Sequence, residues 1–482
     1  MIKQTLLTIL TALIVLPACT PTRVNMPPLP NSPTRWQHAP DTPTTSDLQT
    51  WWQGFQDPQL NQLISQALAT NHDLKIAKAR VREAKAMLTV AESALYPSLD
   101  FSMSGGRQKQ IDRIIGVPGQ QGIALITPTG DAMSGGLTAR WEIDVFGSRQ
   151  LQAEGVVAGV KGAEAATHAV RVGLLAQVAT NYLELCGVQE RLTILKKNIA
   201  LRQEQLRAIQ AFVTAGLSNA ADVARQETAL RSTEAALPLL TANETSLINR
   251  LGVLLGEPPE KLERQLLKLA RLPTASPAIP KLLPADLLEQ RPDLLFSKAE
   301  VSIAAANLGV AKADLLPKFQ LSASGGYGAI AVGGFPSLAD SVYTLGSGLS
   351  APIFNAGRIK AQITAADARL TQVATNYEKT FLLALEDVEN ALATHKASLN
   401  RQVKLAQAEK SAIATEQALD KLYQQGANQY LSVLDAQHSR LVISDERIKA
   451  GTAAQVAMVS LYRAFGGGWS PFPNSNSSHS VE

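Results

Sequence analysis

Few residues of this chain have the types and spacing that chemistry requires. Gly346-x-Gly348-x-x-Ala351 fits a pattern that holds dinucleotide phosphates, but it lies inside an alternating, strand-like segment instead of opening a helix. The histidines never recur at i, i+3 or i, i+4, a spacing typical of metal ligands on one helix face. They are His38, His72, His168, His395, His438 and His479. Neither a G-x-S-x-G nor a Walker motif is present, so no motif supports an enzyme.

The residue with the clearest chemical fate is Cys19. A short basic segment precedes an apolar run from Leu6 to Leu16, which predicts a secretory signal peptide at residues 1–18. Leu16-Pro17-Ala18-Cys19 is similar to a bacterial lipobox, after whose cleavage the cysteine becomes the first residue and is acylated. Thr20 stands where an Asp typically retains such lipoproteins in the inner membrane, which indicates the outer membrane. An ordinary signal peptide with a chance cysteine is the alternative.

Composition limits what the rest of the chain does. Its 482 residues are 45% hydrophobic and 5% aromatic, and a net charge of +4 without a basic block is weak support for nucleic acid binding. Two cysteines exclude a disulfide framework. A mean hydropathy of +0.01 is too low for a bundle of membrane helices. We expect an extended, lipidated arm at 19–50, which is rich in Pro and Thr, and a disordered tail at 467–482.

The chain contains an internal duplication. Residues 72–106 match residues 292–326 at 16 of 35 positions, and the matches include strand and turn positions such as Pro97/Pro317 and Gly105-Gly106/Gly325-Gly326. Chance similarity between Ala-rich helices does not explain the repeated turns. We therefore predict two repeats, 51–255 and 292–466, joined by a proline-rich linker at 256–291 that wraps around the helical region.

Each repeat contains two segments in which apolar and polar residues alternate, as in a β-strand with one face of each kind. The apolar positions are Leu99, Phe101 and Met103; Leu137, Ala139, Trp141, Ile143 and Val145; Phe319, Leu321 and Ala323; and Leu345, Leu349, Ala351 and Ile353. Loops are expected from Gly105 to Gly136 and from Gly325 to Asp340. Four strands cannot close a membrane barrel, which needs at least about 8, so two or three chains must contribute. A soluble β-domain with one polar face is the alternative.

Long helices flank the strands. The segment 353–470 has no proline and predicts helices at 357–425 and 428–465, the first roughly 100 Å long. A helix at 293–316 precedes the second pair of strands. The first repeat has the same plan, with helices at 149–215, 72–97 and 218–255. Two shorter helices stacked end to end match the length of each long one, which predicts coiled-coil-like packing.

Together these features resemble the TolC-like outer-membrane efflux channels, in particular their NodT-type lipoproteins. The resemblance covers nearly all of 19–466, and the order and spacing of the motifs make it specific. The motifs are Trp51-Trp52-x-x-Phe55-x-Asp57-Pro58-x-Leu60, Asn71-x-Asp73-Leu74, Trp141-Glu142-x-Asp144-x-Phe146-Gly147, Leu254-Leu255-Gly256, Arg291-Pro292-Asp293-Leu294, Pro352-Ile353-Phe354-Asn355-x-Gly357-Arg358 and Tyr430-Leu431-x-Val433-Leu434-Asp435-Ala436-Gln437.

The resemblance implies a mainly α-helical, internally duplicated fold with a membrane β-barrel. A homotrimer would form a 12-stranded barrel continuous with a 12-helix periplasmic tube. The tube would dock onto a periplasmic adaptor joined to an inner-membrane pump of the RND type. The protein would be a passive conduit, and neither catalysis nor a metal or cofactor is expected beyond the N-acyl and diacylglycerol lipid on Cys19.

The resemblance also implies a periplasmic gate near the second inter-helix turn. Tyr423, Leu431 and Asp435 match gate-type positions. Three copies of Asp435 would form a carboxylate ring that favours cations, and Leu431 an apolar constriction. Gln424 stands where the family often has Arg, which predicts an altered gate lock. The alternative is that Asp435 is a solvated helix residue and Tyr423 is packing.

The two turns between long helices are the expected adaptor contacts. They comprise Gly216, Leu217, Ser218 and Asn219 in the first repeat, and Gly426, Ala427, Asn428 and Gln429 in the second. The main alternative function is a lipid-anchored periplasmic adaptor or helical scaffold without a pore. The duplication of strands together with hairpins favours the channel. The sequence leaves the transported substrate open.

Overall fold

The structure is a computed structural model, and it describes residues 32–38, 47–108, 130–267, 271–332 and 335–470. The predicted signal peptide at 1–18, the lipidation residue Cys19, the arm at 20–31 and 39–46, and residues 471–482 of the tail lie outside the described residues.

The elements follow one another in the order that the duplication predicts. The α-helices are α1 (Pro58–Thr70), α2 (His72–Ser93), α3 (Ser148–Thr214), α4 (Ala220–Glu234), α5 (Ala236–Leu255), α6 (Pro259–Leu266), α7 (Leu287–Gln290), α8 (Pro292–Ala313), α9 (Arg358–Gln424) and α10 (Tyr430–Ala464). The strands are β1 (Ser98–Gln108), β2 (Gly130–Ile143), β3 (Lys318–Val332) and β4 (Phe335–Ser350). Short 3-10 helices occupy Trp51–Phe55 and Pro284–Asp286.

The largest difference from the predicted helices is a break at Ala235. The sequence predicts a single helix over 218–255, but α4 ends at Glu234 and α5 begins at Ala236. Pro238 explains the break, because it has no N–H to donate to the carbonyl of Glu234, and a proline is tolerated only in the first turn of a helix. The two long helices, α3 and α9, lie within one residue of their predicted bounds, and each has 67 residues.

The strands extend into both predicted loops. The expected loop from Gly325 to Asp340 is mostly strand, because β3 continues to Val332 and β4 starts at Phe335. The glycines there serve a close approach between β2 and β3 instead of a turn. A Cβ on Gly326 would lie 2.6 Å from the carbonyl oxygen of Gly135, and a Cβ on Gly136 would lie 2.9 Å from that of Gly325. Larger residues would therefore push these two strands apart.

One of two compact units comprises the strands and the helix segments next to them, at 82–161 and 299–375. Its sheet has the order β1-β2-β3-β4 with every pair antiparallel. Below the sheet, α3 and α8 pack closely through small residues. A Cβ on Gly309 would lie 2.9 Å from Leu151, and one on Gly155 would lie 3.2 Å from Ala306. Within the described residues, α8 is the one helix long and apolar enough to span a membrane, and its packing against α3 buries part of its apolar surface.

The other unit comprises residues 29–81, 162–298 and 376–482. Its core explains the motif that starts at Trp51. Trp51, Trp52, Phe55 and Leu60 are buried, and Trp51 stacks on Tyr462 with ring centroids 5.2 Å apart. Asp57 caps α1 by accepting hydrogen bonds from the backbone N–H groups of Gln59 and Leu60, and its second oxygen accepts the hydroxyl of Tyr182 at 2.8 Å.

The linker packs on this unit as an extended segment, 271–283, which we call the belt. Side chains from outside the belt hold it through hydrogen bonds to its backbone. Glu190 accepts the N–H of Leu272, Gln455 donates to the carbonyls of Pro273 and Ala275, Tyr462 donates to that of Ala278, and Trp36 donates to that of Leu282. The arm therefore reaches the belt, where Trp36 is buried.

The chain end is packed as far as Ser470, although the sequence predicts a disordered tail from 467. The N–H of Gly468 donates to the carbonyl of Leu48, and Arg171 donates to the carbonyl of Gly468, at 2.7 Å each. Trp469 is buried and stacks on His168 at 4.2 Å. The buried ring of Trp469 adds apolar surface to the core, so the packed region extends beyond the predicted boundary at residue 467.

Candidate functional site

The sheet has one apolar and one polar face, and its apolar face is exposed. Because paired residues share a face, the register groups Phe101 with Leu137, and Ala323 with Leu345. Phe101 is 70% exposed and Leu345 is 85% exposed. The opposite face carries small polar residues: Ser98, Asp100, Ser102, Ser104, Ser134, Thr138, Ser322, Ser324 and Thr344. A sheet with this pattern suits apolar surroundings on one side and water on the other.

Aromatic side chains mark two levels of the apolar face. Trp141 and Phe319 lie near the helix-proximal ends of their strands, and Tyr327 and Tyr343 lie farther along. Phe319 and Tyr327 are separated by about 27 Å along β3, at about 3.4 Å per residue. Membrane barrels have an apolar band about 25 Å tall between two aromatic girdles. The spacing of the aromatic residues is consistent with such a band.

The two turns between long helices have the same backbone. Gly216 and Gly426 both adopt a left-handed conformation, with φ of 73° and 70°. In each turn the next N–H donates to a carbonyl five residues earlier, Leu217 to Phe212 and Ala427 to Leu422, both at 2.8 Å. This is the glycine C-cap that ends a helix with a sharp reversal. Beyond it, Leu217 is 77% exposed, so the first turn presents an apolar tip.

The second turn differs from the first in how the next helix begins. The side chain of Asn219 accepts the N–H of Asp222 and caps α4, and the hydroxyl of Ser218 donates to Asp222. Gln429 precedes α10 without a side-chain cap, and Asn428 is half-buried. The turn that leads into α10 therefore has fewer side-chain restraints.

The four predicted gate residues lie around the second turn. Tyr423, Gln424 and Asp435 are exposed, and Leu431 is half-buried against a cluster of Leu201, Leu434 and Leu441. Gln424 donates to Asp420 at 2.9 Å within α9. The ring of Tyr423 packs against Tyr430, with centroids 5.2 Å apart. Neither of these two contacts involves the exposed side chain of Asp435.

A set of polar contacts attaches α10 to α3, and we call it the α3–α10 clasp. The hydroxyl of Tyr430 donates to Glu204, which raises the pKa of Tyr430 to about 12 because the carboxylate disfavours a phenolate. Nη2 of Arg202 lies 2.6 Å from Nε2 of His438, and Nδ1 of His438 lies 2.9 Å from Oδ1 of Asn198. Gln205 contacts Asp435 at 3.5 Å.

The sequence analysis missed the clasp residues Glu204, Arg202, Tyr430 and His438. The sequence analysis includes Tyr430 only in a family motif and assigns a gate-type position to Tyr423 instead. The partners in these bonds are more than 220 residues apart along the chain. One clue was available, because Tyr430 and His438 are eight residues apart, a spacing that places both on one helix face.

A second cluster of charges surrounds Arg291 at the start of α8. Its guanidinium donates to both carboxylate oxygens of Asp293, to Asp387 on α9, and to the carbonyl of Ala464 at the end of α10. The side chain is only 11% exposed. The carboxylates and hydrogen bonds raise the pKa of Arg291 against the cost of burial, so it stays charged. It thereby ties three helices together beside a cavity of about 520 Å³.

Burial makes the cysteine in the body of the protein, Cys186, unreactive. Cys186 is fully buried on α3, and burial raises the pKa of its thiol to about 12. A thiol that stays protonated is neither a nucleophile nor a good metal ligand. Among the described residues there is also no group of three metal-ligating side chains.

The profile of the outer membrane efflux protein family matches residues 63–257 and 283–467. The chain belongs to this family. The two matched segments correspond to the two repeats. The pyoverdine export outer membrane protein OpmQ of Pseudomonas aeruginosa is 33% identical over 96% of this chain and 97% of its own length. The probable outer membrane lipoprotein SilC of Salmonella typhimurium is 28% identical over 89% of this chain and 90% of its own.

Solved structures agree with the assignment. The outer-membrane channel OprN superposes with a TM-score of 0.81 at 29% identity, over 93% of this chain and 99% of that one. This outer membrane efflux protein is therefore a channel component of the outer membrane, built on the mainly α-helical, duplicated fold with a β-barrel portion. The channel interpretation of the sequence is confirmed, and the scaffold alternative is not supported.

Proposed function

We propose that three identical copies of this efflux protein close a 12-stranded barrel and form the exit duct of a tripartite pump. The observation that carries the proposal is the open sheet. Among the described strands, β1 and β4 each have one partner, so the sheet ends in two unpaired edges. Unpaired backbone groups are not tolerated in lipid, and the sheet is too narrow to close on itself. Pairing β4 of one copy with β1 of the next removes both edges.

The helices next to the edge strands support this closure. α2 leads into β1 and exposes Met87 (57%) and Val90 (63%) on one face. α9 follows β4, and its exposed small residues Ala361, Ala365 and Ala368 recur at coiled-coil spacing. When β4 meets β1 of the next copy, α9 meets α2 of that copy. Large side chains on α2 then face small ones on α9, the complementarity that close helix packing requires.

Met87→Asp is expected to prevent trimer formation, because it puts a charge into this apolar contact between copies. Thr89→Asp is the matched control, since Thr89 is exposed on the opposite side of the same helical turn. Chemical cross-linking of the detergent-solubilised proteins measures the outcome. If the Met87 variant formed trimers in normal yield, the proposed contact between α2 and α9 would be wrong. If the wild-type protein were monomeric and formed no pore in planar bilayers, the proposed function would be wrong.

The gate is proposed at the second turn, with Asp435 as a ring of three carboxylates and Leu431, Tyr423 and Gln424 around it. Its exposure and its place beside the turn support this role. Asp435→Ala is expected to reduce the preference for cations, because the negative ring is removed. The reversal potential across a salt gradient in a planar bilayer measures the preference. An unchanged reversal potential would reject the carboxylate ring.

The remaining contacts follow from the same proposal. The turns at 216–219 and 426–429 dock onto a periplasmic adaptor, and the exposed tip at Leu217 supports an apolar contact there. Cross-linking from Leu217→Cys to the adaptor tests this contact.

Cys19 carries the N-acyl and diacylglycerol lipid, which the relation to a probable lipoprotein supports. The mass of the N-terminal peptide tests the lipidation. An inner-membrane RND-type pump, joined to the duct through the adaptor, supplies the energy, so the duct itself needs no catalysis and no other cofactor.

A further inference from the structure

The histidine of the clasp is held in one protonation state. Arg202 has hydrogen-bond donors only, so at 2.6 Å the Nε2 atom of His438 must be the acceptor. The proton of the neutral ring is then on Nδ1, which donates to Oδ1 of Asn198 at 2.9 Å. His438 on α10 thus bridges two residues of α3 as a neutral ring.

A second proton on this ring is incompatible with the bridge. It would place an N–H of His438 against the guanidinium of Arg202, donor against donor and charge against charge. Burial and the charge of Arg202 lower the pKa of His438, and the carboxylate of Asp435 opposes them. The ring is therefore neutral at neutral pH and gains its proton only below the ordinary histidine value of about 6.5.

The protonated ring has another partner close by. Asp435 precedes His438 by three residues on α10, so the two side chains lie on one helix face. Its carboxylate is exposed, and its contact with α3 is the long one to Gln205. The charged groups that face His438 are Arg202 on α3 and Asp435 on α10. A positive ring is repelled by α3 and attracted to a carboxylate on its own helix.

We propose that His438 is a proton-operated release of the α3–α10 clasp, in which the protonated ring leaves Arg202 and pairs with Asp435. The proposal rests on the gate function of the second turn. The release loosens α10 next to the gate, and it also neutralises the carboxylate that gives the gate its preference for cations. The apolar cluster of Leu201, Leu434 and Leu441 still holds α10 to α3, so the change is local.

The test uses the full-length, lipidated protein in planar bilayers, with single-channel conductance and reversal potential measured from about pH 7.5 to about pH 5. The wild type is expected to gain conductance several-fold and to lose cation preference as the pH falls. His438→Gln is expected to stay at the low, neutral-pH conductance throughout, because the amide accepts from Arg202, donates to Asn198 and does not titrate. His438→Lys is expected to show high conductance already at neutral pH.

The Gln variant also isolates the contribution of His438, since every other residue is intact in it. A rise in conductance at acid pH that persists in His438→Gln would assign the response to a group other than His438 and overturn the release. A wild type that forms pores without any pH response would overturn it as well, while leaving the proposed channel function intact. Only a wild type without pores would contradict that function. The Gln variant preserves the clasp, so the test does not depend on whether the Lys variant folds.

Discussion

Leu345→Arg is expected to abolish insertion of the sheet into the outer membrane, whereas Thr344→Arg is expected to leave it largely intact. The two residues are neighbours on β4 and point to opposite faces. Leu345 pairs with Ala323 on the apolar face, and Thr344 pairs with Ser324 on the polar face. An arginine that faces lipid near the bilayer midplane costs about 2–4 kcal/mol, and a trimer would carry three. An arginine on the polar face meets water.

The measurement is the amount of folded protein in the outer-membrane fraction, compared with the wild type on gels run without heating. The pair of variants has the same new side chain in the same strand, so a general loss of strand propensity would affect both. Equal insertion of the two variants would mean that the apolar face does not contact lipid.

Arg291→Ala is expected to lower the free energy of unfolding by about 1–3 kcal/mol, because hydrogen bonds from a charged, buried donor are lost. The partially exposed carboxylates of Asp293 and Asp387 lose their shared cation, and the carbonyl of Ala464 loses its donor. Arg291→Lys is expected to rescue only part of the loss, since an ammonium group cannot donate to three helices with the geometry of a guanidinium.

The matched control is Arg463→Ala, because Arg463 is exposed and lines the same cavity. Denaturant unfolding of the detergent-solubilised proteins, followed by circular dichroism, measures the difference. If both alanine variants unfolded at the wild-type midpoint, Arg291 would have no role in joining the helices.

The features that the sequence predicts well are local and periodic. The long helices α3 and α9 follow from an unbroken helical pattern, and the two faces of the sheet follow from alternation. Both signals depend on neighbours within a few residues. The duplication adds independent support, because the same order of elements occurs twice, and the turns at Gly216 and Gly426 have the same backbone.

The features that the sequence analysis missed depend on contacts between distant residues. Gly136 and Gly326 suggested loops, and only their pairing across β2 and β3 explains why glycine is needed inside strands. The hydrogen bond between Tyr430 and Glu204 in the clasp is missed for the same reason, since a single sequence does not reveal which residues on α3 face α10. The break at Ala235 was local, and Pro238 marks it, but the surrounding helical pattern outweighed one proline.

The belt has a consequence for how sequences in this family can diverge. Five hydrogen bonds hold it through main-chain atoms of Leu272, Pro273, Ala275, Ala278 and Leu282. Four of the five hydrogen bonds go to carbonyl groups, which every residue type offers, so these four bonds do not select the side chains that the belt displays. Exposed belt positions can therefore change in sequence without loss of these hydrogen bonds, and a short epitope substituted at those positions would be displayed in a defined place.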